Sequence, residues 1–117
     1  MKLKELCWVG SAKRDLKNMP VVVQRTMGFS LHQAQEGKMP LNAKPLTGVG
    51  TGVIEIVSDY NKNTYRAVYA VKLGDTIYVL HSFQKKSKTG IKTPKQDIDL
   101  IKQRLALAKE DALSQNK

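Results

Sequence analysis

The sequence predicts an α+β fold, a mostly antiparallel four-stranded sheet with helices packed largely on one face, in the order β-α-α-β-β-β-α. Three observations predict it. Apolar and polar residues alternate along Thr64–Leu73 and Thr76–Phe83, and the two runs are joined by Gly74-Asp75, a two-residue hairpin signal. Elsewhere apolar residues recur at steps of three and four: Val23, Met27, Leu31 and Ala34, then Ile98, Ile101, Leu105 and Ala108. The 117 residues, 41% of them apolar, are enough for one domain with an ordinary core. That domain is expected over residues 1–112, with a frayed polar tail at 113–117.

The elements follow in order. Lys2–Val9 is short and apolar-rich, and Gly10-Ser11 after it marks the end of a first strand. Ser11 is placed to cap a short helix over Ala12–Asn18, with its basic residues outward. Pro20 suits the first turn of a second helix, where its missing N–H goes unused, and Gly37 is placed to end that helix. From Lys38 to Gly52 the pattern is broken by Pro40, Pro45, Gly48, Gly50 and Gly52, which predicts a loop. Its GVGTG run lacks the spacing and the Lys-Ser/Thr ending of a phosphate-binding loop, so it is read as a glycine-rich entrance to a strand. Val53–Val57 is that strand, and Asp59–Asn63 a loop. Thr93 is placed to cap the last helix, with Pro94 at its first position and Gln96 completing a capping box. No repeat or linker interrupts the chain.

Twenty Lys and Arg against ten Asp and Glu give a formal charge of +10. Such an excess suits nucleic acid, an anionic membrane or an acidic protein, and says nothing of fold. One cysteine, Cys7, excludes an intramolecular disulfide and reads as a small buried apolar residue. Two histidines without HxxH or CxxC spacing leave no zinc signature, so neither metal nor cofactor is expected. The chain shows no apolar core of signal-peptide type and no span of transmembrane length, and a cytoplasmic protein without membrane contact is expected.

The chemistry concentrates in Tyr65–Pro94. Arg66 lies among apolar and aromatic residues in a central strand, where an unpaired charge is costly. Two roles suit it: a salt bridge, with Glu55 as the partner, or a fork on a scissile phosphate that also stabilises the transition state. The second is favoured, because cations outnumber the acids available to pair with them. Lys85, Lys86, Lys88 and Lys92 follow the strand end. They form either a solvated steering loop or a cluster in which like charges depress one lysine's pKa toward proton-transfer duty. His81 titrates in the range for proton transfer, although a lone histidine among apolar strand residues also fits a packing role. By simple alternation Arg66 shares a face with Val68, Ala70 and Lys72, and His81 one with Ile77, Val79 and Phe83; how the two strands' faces align is open. His32 reads as a surface residue. Tyr65, Tyr69 and Tyr78 fit core or cross-strand positions before base stacking. RNA is the expected substrate and cleavage the expected activity.

The run YRAVYAVKLGDTIYVLHSFQKKSKTGIKTPKQDIDLIKQRL closely resembles the C-terminal half of the phage-derived Gp49-like group of HigB-type toxins, in the RelE/ParE toxin superfamily. The resemblance rests on Arg66 between Tyr65 and Tyr69, the strand end Leu80-His81-Ser82-Phe83-Gln84-Lys85-Lys86-Ser87, and Thr93-Pro94 opening a helix that reaches Arg104. Gly52-Val53-Ile54-Glu55-Ile56 fits as well. The likeness is strong over about Gly48–Leu105 and one of layout before it. It implies a RelE-like domain and a toxin of a type II toxin–antitoxin module, paired with a helix-turn-helix antitoxin of the Xre/HigA type. It implies metal-independent cutting of mRNA in the 30S decoding site. The ribose 2′-OH would attack its own 3′-phosphate, leaving a 2′,3′-cyclic phosphate. Carried onto this chain, Arg66 would stabilise phosphate charge, Lys85 or Lys86 would supply charge and a proton, and His81 would be a candidate base. Lys44, Lys72, Lys88 and Lys92 would grip RNA. No aromatic residue follows Phe83, so a C-terminal catalytic tyrosine is not implied. Two other readings share the charge and layout: a ParE-like toxin that inhibits DNA gyrase by contact alone, and a basic nucleic-acid-binding module.

Overall fold

The computed structural model describes residues 2–85 and 93–115. Lys86, Lys88 and Lys92, three of the expected RNA-contacting or catalytic cations, lie outside the described residues. The element order is β1 (Glu5–Trp8), α1 (Ala12–Lys17), α2 (Val21–Gln35), β2 (Ala43–Pro45), β3 (Val53–Tyr60), β4 (Asn63–Leu73), β5 (Thr76–Lys85) and α3 (Lys95–Gln115). The class is α+β as expected, with three corrections to the layout.

The described sheet has five strands rather than four, in the order β1-β5-β4-β3-β2. The added strand, β2, lies in the segment expected to be loop. It is three residues long and half exposed, so it carries too little alternation to show in sequence. β1 runs parallel to β5, and the other pairs are antiparallel. The β3–β4 connection is also tighter than expected. Tyr60 pairs with Asn63, and Asn61 and Lys62 both take positive φ (52° and 67°), the requirement of a two-residue turn that follows sheet twist.

The helices cover both faces of the sheet, not mainly one. α1 and α2 bury Leu16, Val23, Met27 and Leu31 against Ile56, Ala67, Tyr69 and Val79. On the opposite face α3 buries Ile101, Leu105 and Ala108 against Val53, Val68, Tyr78 and Leu80. The physical cause is that β3, β4 and β5 are apolar on both sides. Along the core of β4, Ala67, Val68, Tyr69 and Ala70 are each at most 1% exposed. A sheet greasy on two faces must be covered twice.

The helix ends repeat this mix of agreement and correction. Gly37, at φ +84°, closes α2 in a Schellman motif: its N–H bonds to Ala34 and the Lys38 N–H reaches back to Gln33. Ser11 occupies the position before α1 but makes no side-chain cap; its hydroxyl donates to Asp15 Oδ2 at 2.7 Å. Thr93 is likewise displaced from the capping role. Pro94 supplies the carbonyl for the Ile98 N–H and so holds the cap position, while the Thr93 hydroxyl donates to Glu55 Oε2 at 3.0 Å. α3 continues to Gln115, into the segment expected to fray, where Gln115 donates to Asp111 one turn back.

Candidate active site

Arg66 stands on the α3 face of β4, and both strands beside it contribute to its surroundings. On β3, Glu55 pairs in register with Val68, two residues from Arg66, which makes the two side chains diagonal neighbours. Arg66 Nη1 donates to Glu55 Oε1 in a salt bridge that is almost dry, with the side chains 7% and 1% exposed. The other Glu55 oxygen accepts from Thr93. Arg66 Nε is buried and meets no hydrogen-bond partner among the described residues. Of the two roles open to Arg66, the structure contains the salt bridge, and the fork on phosphate becomes a question of what competes with Glu55.

Lys44 of β2 pairs across from Glu55, so it shares that face. Lys44, Pro45, Leu46, Thr47 and Gly48 line a cleft of about 440 Å³ together with Glu55, Thr93 and Ile98. Lys85 ends β5 opposite Thr64. Its ammonium is pushed below the ordinary lysine range, first by burial and then by the Arg66 guanidinium; Lys44 adds to the fall and Glu55 opposes it. Arg66, Lys85 and Lys44 thus form one cationic group around a buried carboxylate.

The alignment of faces left open by alternation is decided by a bulge. From Tyr69↔Val79 the β4–β5 register shifts to Val68↔His81, so Leu80 has no partner residue on β4. Both Leu80 and His81 then face the α3 side, and everything after them is reversed in phase. Had the ladder continued regularly, His81 would lie opposite Ala67, on the α2 side, with Phe83 and Lys85. Instead Phe83 pairs with Arg66, and the His81 ring stacks on Phe83 at 4.5 Å between centroids. The expected grouping of His81 with Ile77 and Val79 is therefore corrected: those two belong to the α2 side.

His81 itself is 6% exposed, its Nε2 lies 2.7 Å from Asp97 Oδ1 on α3, and its Nδ1 is buried without a partner among the described residues. Those contacts fit the packing role of the two weighed for it. Lys72 is also placed away from the site. A second register shift follows Ala70, and Lys72 sits there at φ +68°. It lines a separate cleft with Lys4, Lys38, Ile54 and Tyr69, at the far end of β4 from Arg66.

Glu55, Thr93 and Asp97 are the site residues that sequence reasoning undervalued. Glu55 did carry a signal, since an acid between Val53 and Val57 on an apolar strand face is rarely left unpaired. Thr93 and Asp97 carried none, because their partners are 38 and 16 residues away.

Among curated proteins none matches the chain. Among solved structures, a chain of the toxin–antitoxin complex RelBE2 from Mycobacterium tuberculosis is similar at a TM-score of 0.51 and 20% identity, over 71% of this chain and 99% of that one. At that identity the likeness is one of fold. The family model for phage-derived Gp49-like proteins (DUF891) matches residues 14–106, a span that takes in both faces of the sheet and every described residue of the cationic site. The chain belongs to the Gp49-like family.

Proposed function

We propose that this chain is the toxin of a type II toxin–antitoxin module and cuts mRNA in the ribosomal decoding site. The observation that carries the proposal is the convergence of Arg66, Lys85 and Lys44 on one face of the sheet around the buried Glu55. Membership of the Gp49-like family and a fold like that of a chain in a toxin–antitoxin complex support it.

In the proposed reaction the 2′-oxygen of a ribose forms a bond to the adjacent phosphorus while the bond from phosphorus to the 5′-oxygen breaks. The products are a 2′,3′-cyclic phosphate and a 5′-OH. The hydroxyl proton passes to a base, and the departing 5′-oxygen must gain one. Arg66 stabilises the charge that builds on the phosphoryl oxygens, exchanging its contact with Glu55 for the phosphate; a donor so placed is worth about 10²–10³-fold in rate. Lys85 is the proton donor, since a lowered pKa brings its ammonium closer to the working pH. Lys44 holds the backbone at the mouth of the cleft, and His81 keeps the β5 strand end seated on α3 through Asp97. No step requires a metal. Lys86, Lys88 and Lys92 supply further RNA grip, and a helix-turn-helix antitoxin of the Xre/HigA type is the partner that silences the activity.

Primer extension on translated mRNA after induction tests the proposal. New 5′ ends inside codons, absent in a folded Arg66→Lys or Arg66→Ala chain, are the expected result. Intact mRNA during growth arrest refutes it, and a DNA-damage response in its place selects the gyrase-directed alternative.

A further inference from the structure

The bulge that turns Lys85 toward Arg66 has an anchor of its own. Leu80 is the residue of β5 left without a partner on β4 at this bulge, and its carbonyl accepts a 2.9 Å hydrogen bond from Arg104 Nη1. Arg104 belongs to α3. Its other terminal nitrogen, Nη2, donates to Ser11 Oγ at 3.1 Å, and that hydroxyl donates to Asp15 Oδ2. One guanidinium therefore joins the bulge, α3 and the entry to α1. The backbone makes room for it: Gly10 takes φ +57°, and a Cβ at that position would lie 2.8 Å from Arg104 Nε.

A bulge competes with the regular ladder one residue out of step, and that slip moves a whole run of side chains to the other face. Here the run is His81, Phe83 and Lys85. A planar guanidinium with its donors in a fixed fork can hold a carbonyl and a hydroxyl at once, which a single ammonium cannot do in the same geometry.

We infer that Arg104 is a positioning residue: its fork holds the Leu80 bulge and thereby sets the phase of β5, so that His81, Phe83 and Lys85 face Arg66. The consequence for RNA cutting rests on the ribonuclease reading, whereas the placement of the β5 side chains is a property of the chain alone.

The test uses the full-length chain carrying Arg104→Ala, with circular dichroism to establish that it is folded. NMR of ¹³C-methylated lysines reads the Lys85 titration, and the His81 ring protons read the stack on Phe83; neither needs RNA or ribosomes. In the variant the Lys85 midpoint is expected to move up toward that of an ordinary lysine, and the His81 ring shifts to collapse toward those of a free ring. Cutting of translated mRNA falls about 100-fold, the scale of a 1 Å misplacement. Added ethylguanidinium restores both NMR signatures and cutting. If Arg104→Ala does not fold, Arg104→Lys is measured instead and should show the same changes in part. Unchanged Lys85 and His81 signals in the folded variant overturn the inference, whatever the activity. Changed signals beside a parent chain that cuts no mRNA would leave the anchor standing and sink only the ribonuclease reading.

Discussion

Substituting Glu55 by alanine leaves Arg66, 5% exposed, without the acceptor for Nη1, and leaves the Thr93 hydroxyl without Glu55 Oε2. Removing one member of a buried ion pair typically costs about 3–5 kcal/mol, because the other charge stays desolvated. The lost Thr93 bond adds roughly 1 kcal/mol. A chain of this size is stable by roughly 6–18 kcal/mol at the usual per-residue range, so the single substitution consumes a large share of it. The mirror substitution Arg66→Ala strands a carboxylate that is 1% exposed, with a similar cost. Replacing both residues by methionine removes both charges and keeps the volume, and such exchanges are often neutral or stabilising. Urea denaturation of the parent, Glu55→Met, Arg66→Met and the double variant closes a thermodynamic cycle. A coupling of about 3 kcal/mol or more is expected. Single substitutions that each cost under about 1 kcal/mol, with coupling within the ~0.5 kcal/mol of additive sites, would refute the reasoning. The double variant also serves the functional question. It retains the fold without the guanidinium, so its failure to cut mRNA reports on Arg66 chemistry and not on unfolding.

Three further outcomes follow from the same geometry. Lys85 gives a proton from its charged form, and its pKa is lowered, so cutting should decline as pH rises through that lowered value; Lys85→Arg keeps the charge but cannot release a proton, so it should cut more slowly throughout and lose that decline in a pH–rate profile. Tyr78 donates to Asp111 at 2.7 Å, and burial, then that bond, pushes its pKa up to about 12. Its folded pKa lies above the unfolded value of 10.0, so its contribution is full below that pH and is lost as pH rises through the folded value. Tyr78→Phe should cost about 0.5–1.5 kcal/mol at neutral pH by denaturant titration and flatten the alkaline loss. Lys44→Ala should reduce mRNA cutting, whereas Lys72→Ala, on a separate cleft, should leave the cut pattern and rate near those of the parent in primer extension.

Local signals carried much of this protein. Gly74-Asp75 lies between two strands that pair as expected, and Gly37 ends α2 by the bonding pattern that its position after an amphipathic run predicts. The cations of the site were visible as well, since Arg66 and Lys85 stand out chemically from their neighbours. Ser11 and Thr93 show where local rules lose. Both fit cap positions in sequence, and both hydroxyls serve side-chain partners instead: Asp15 and Arg104 for Ser11, Glu55 for Thr93. A cap is worth about 1 kcal/mol, a scale that a bond to a buried carboxylate readily exceeds.

By itself the sequence determined the α+β class, the runs that become β4, β5, α2 and α3, and an excess of positive charge suited to a polyanion. These depend on periodicity, turn chemistry and composition, which are properties of short stretches. Tertiary structure decided the rest. It seated α3 on the face opposite α1 and α2, set β1 parallel beside β5, and placed Lys72 apart from the site. Above all it inserted Leu80 as an unpartnered residue in β5. Side-chain direction in a strand has period two, so one extra residue reverses every position beyond it. Whether that residue is tolerated depends on contacts made from α3 and the entry to α1, far away in the chain.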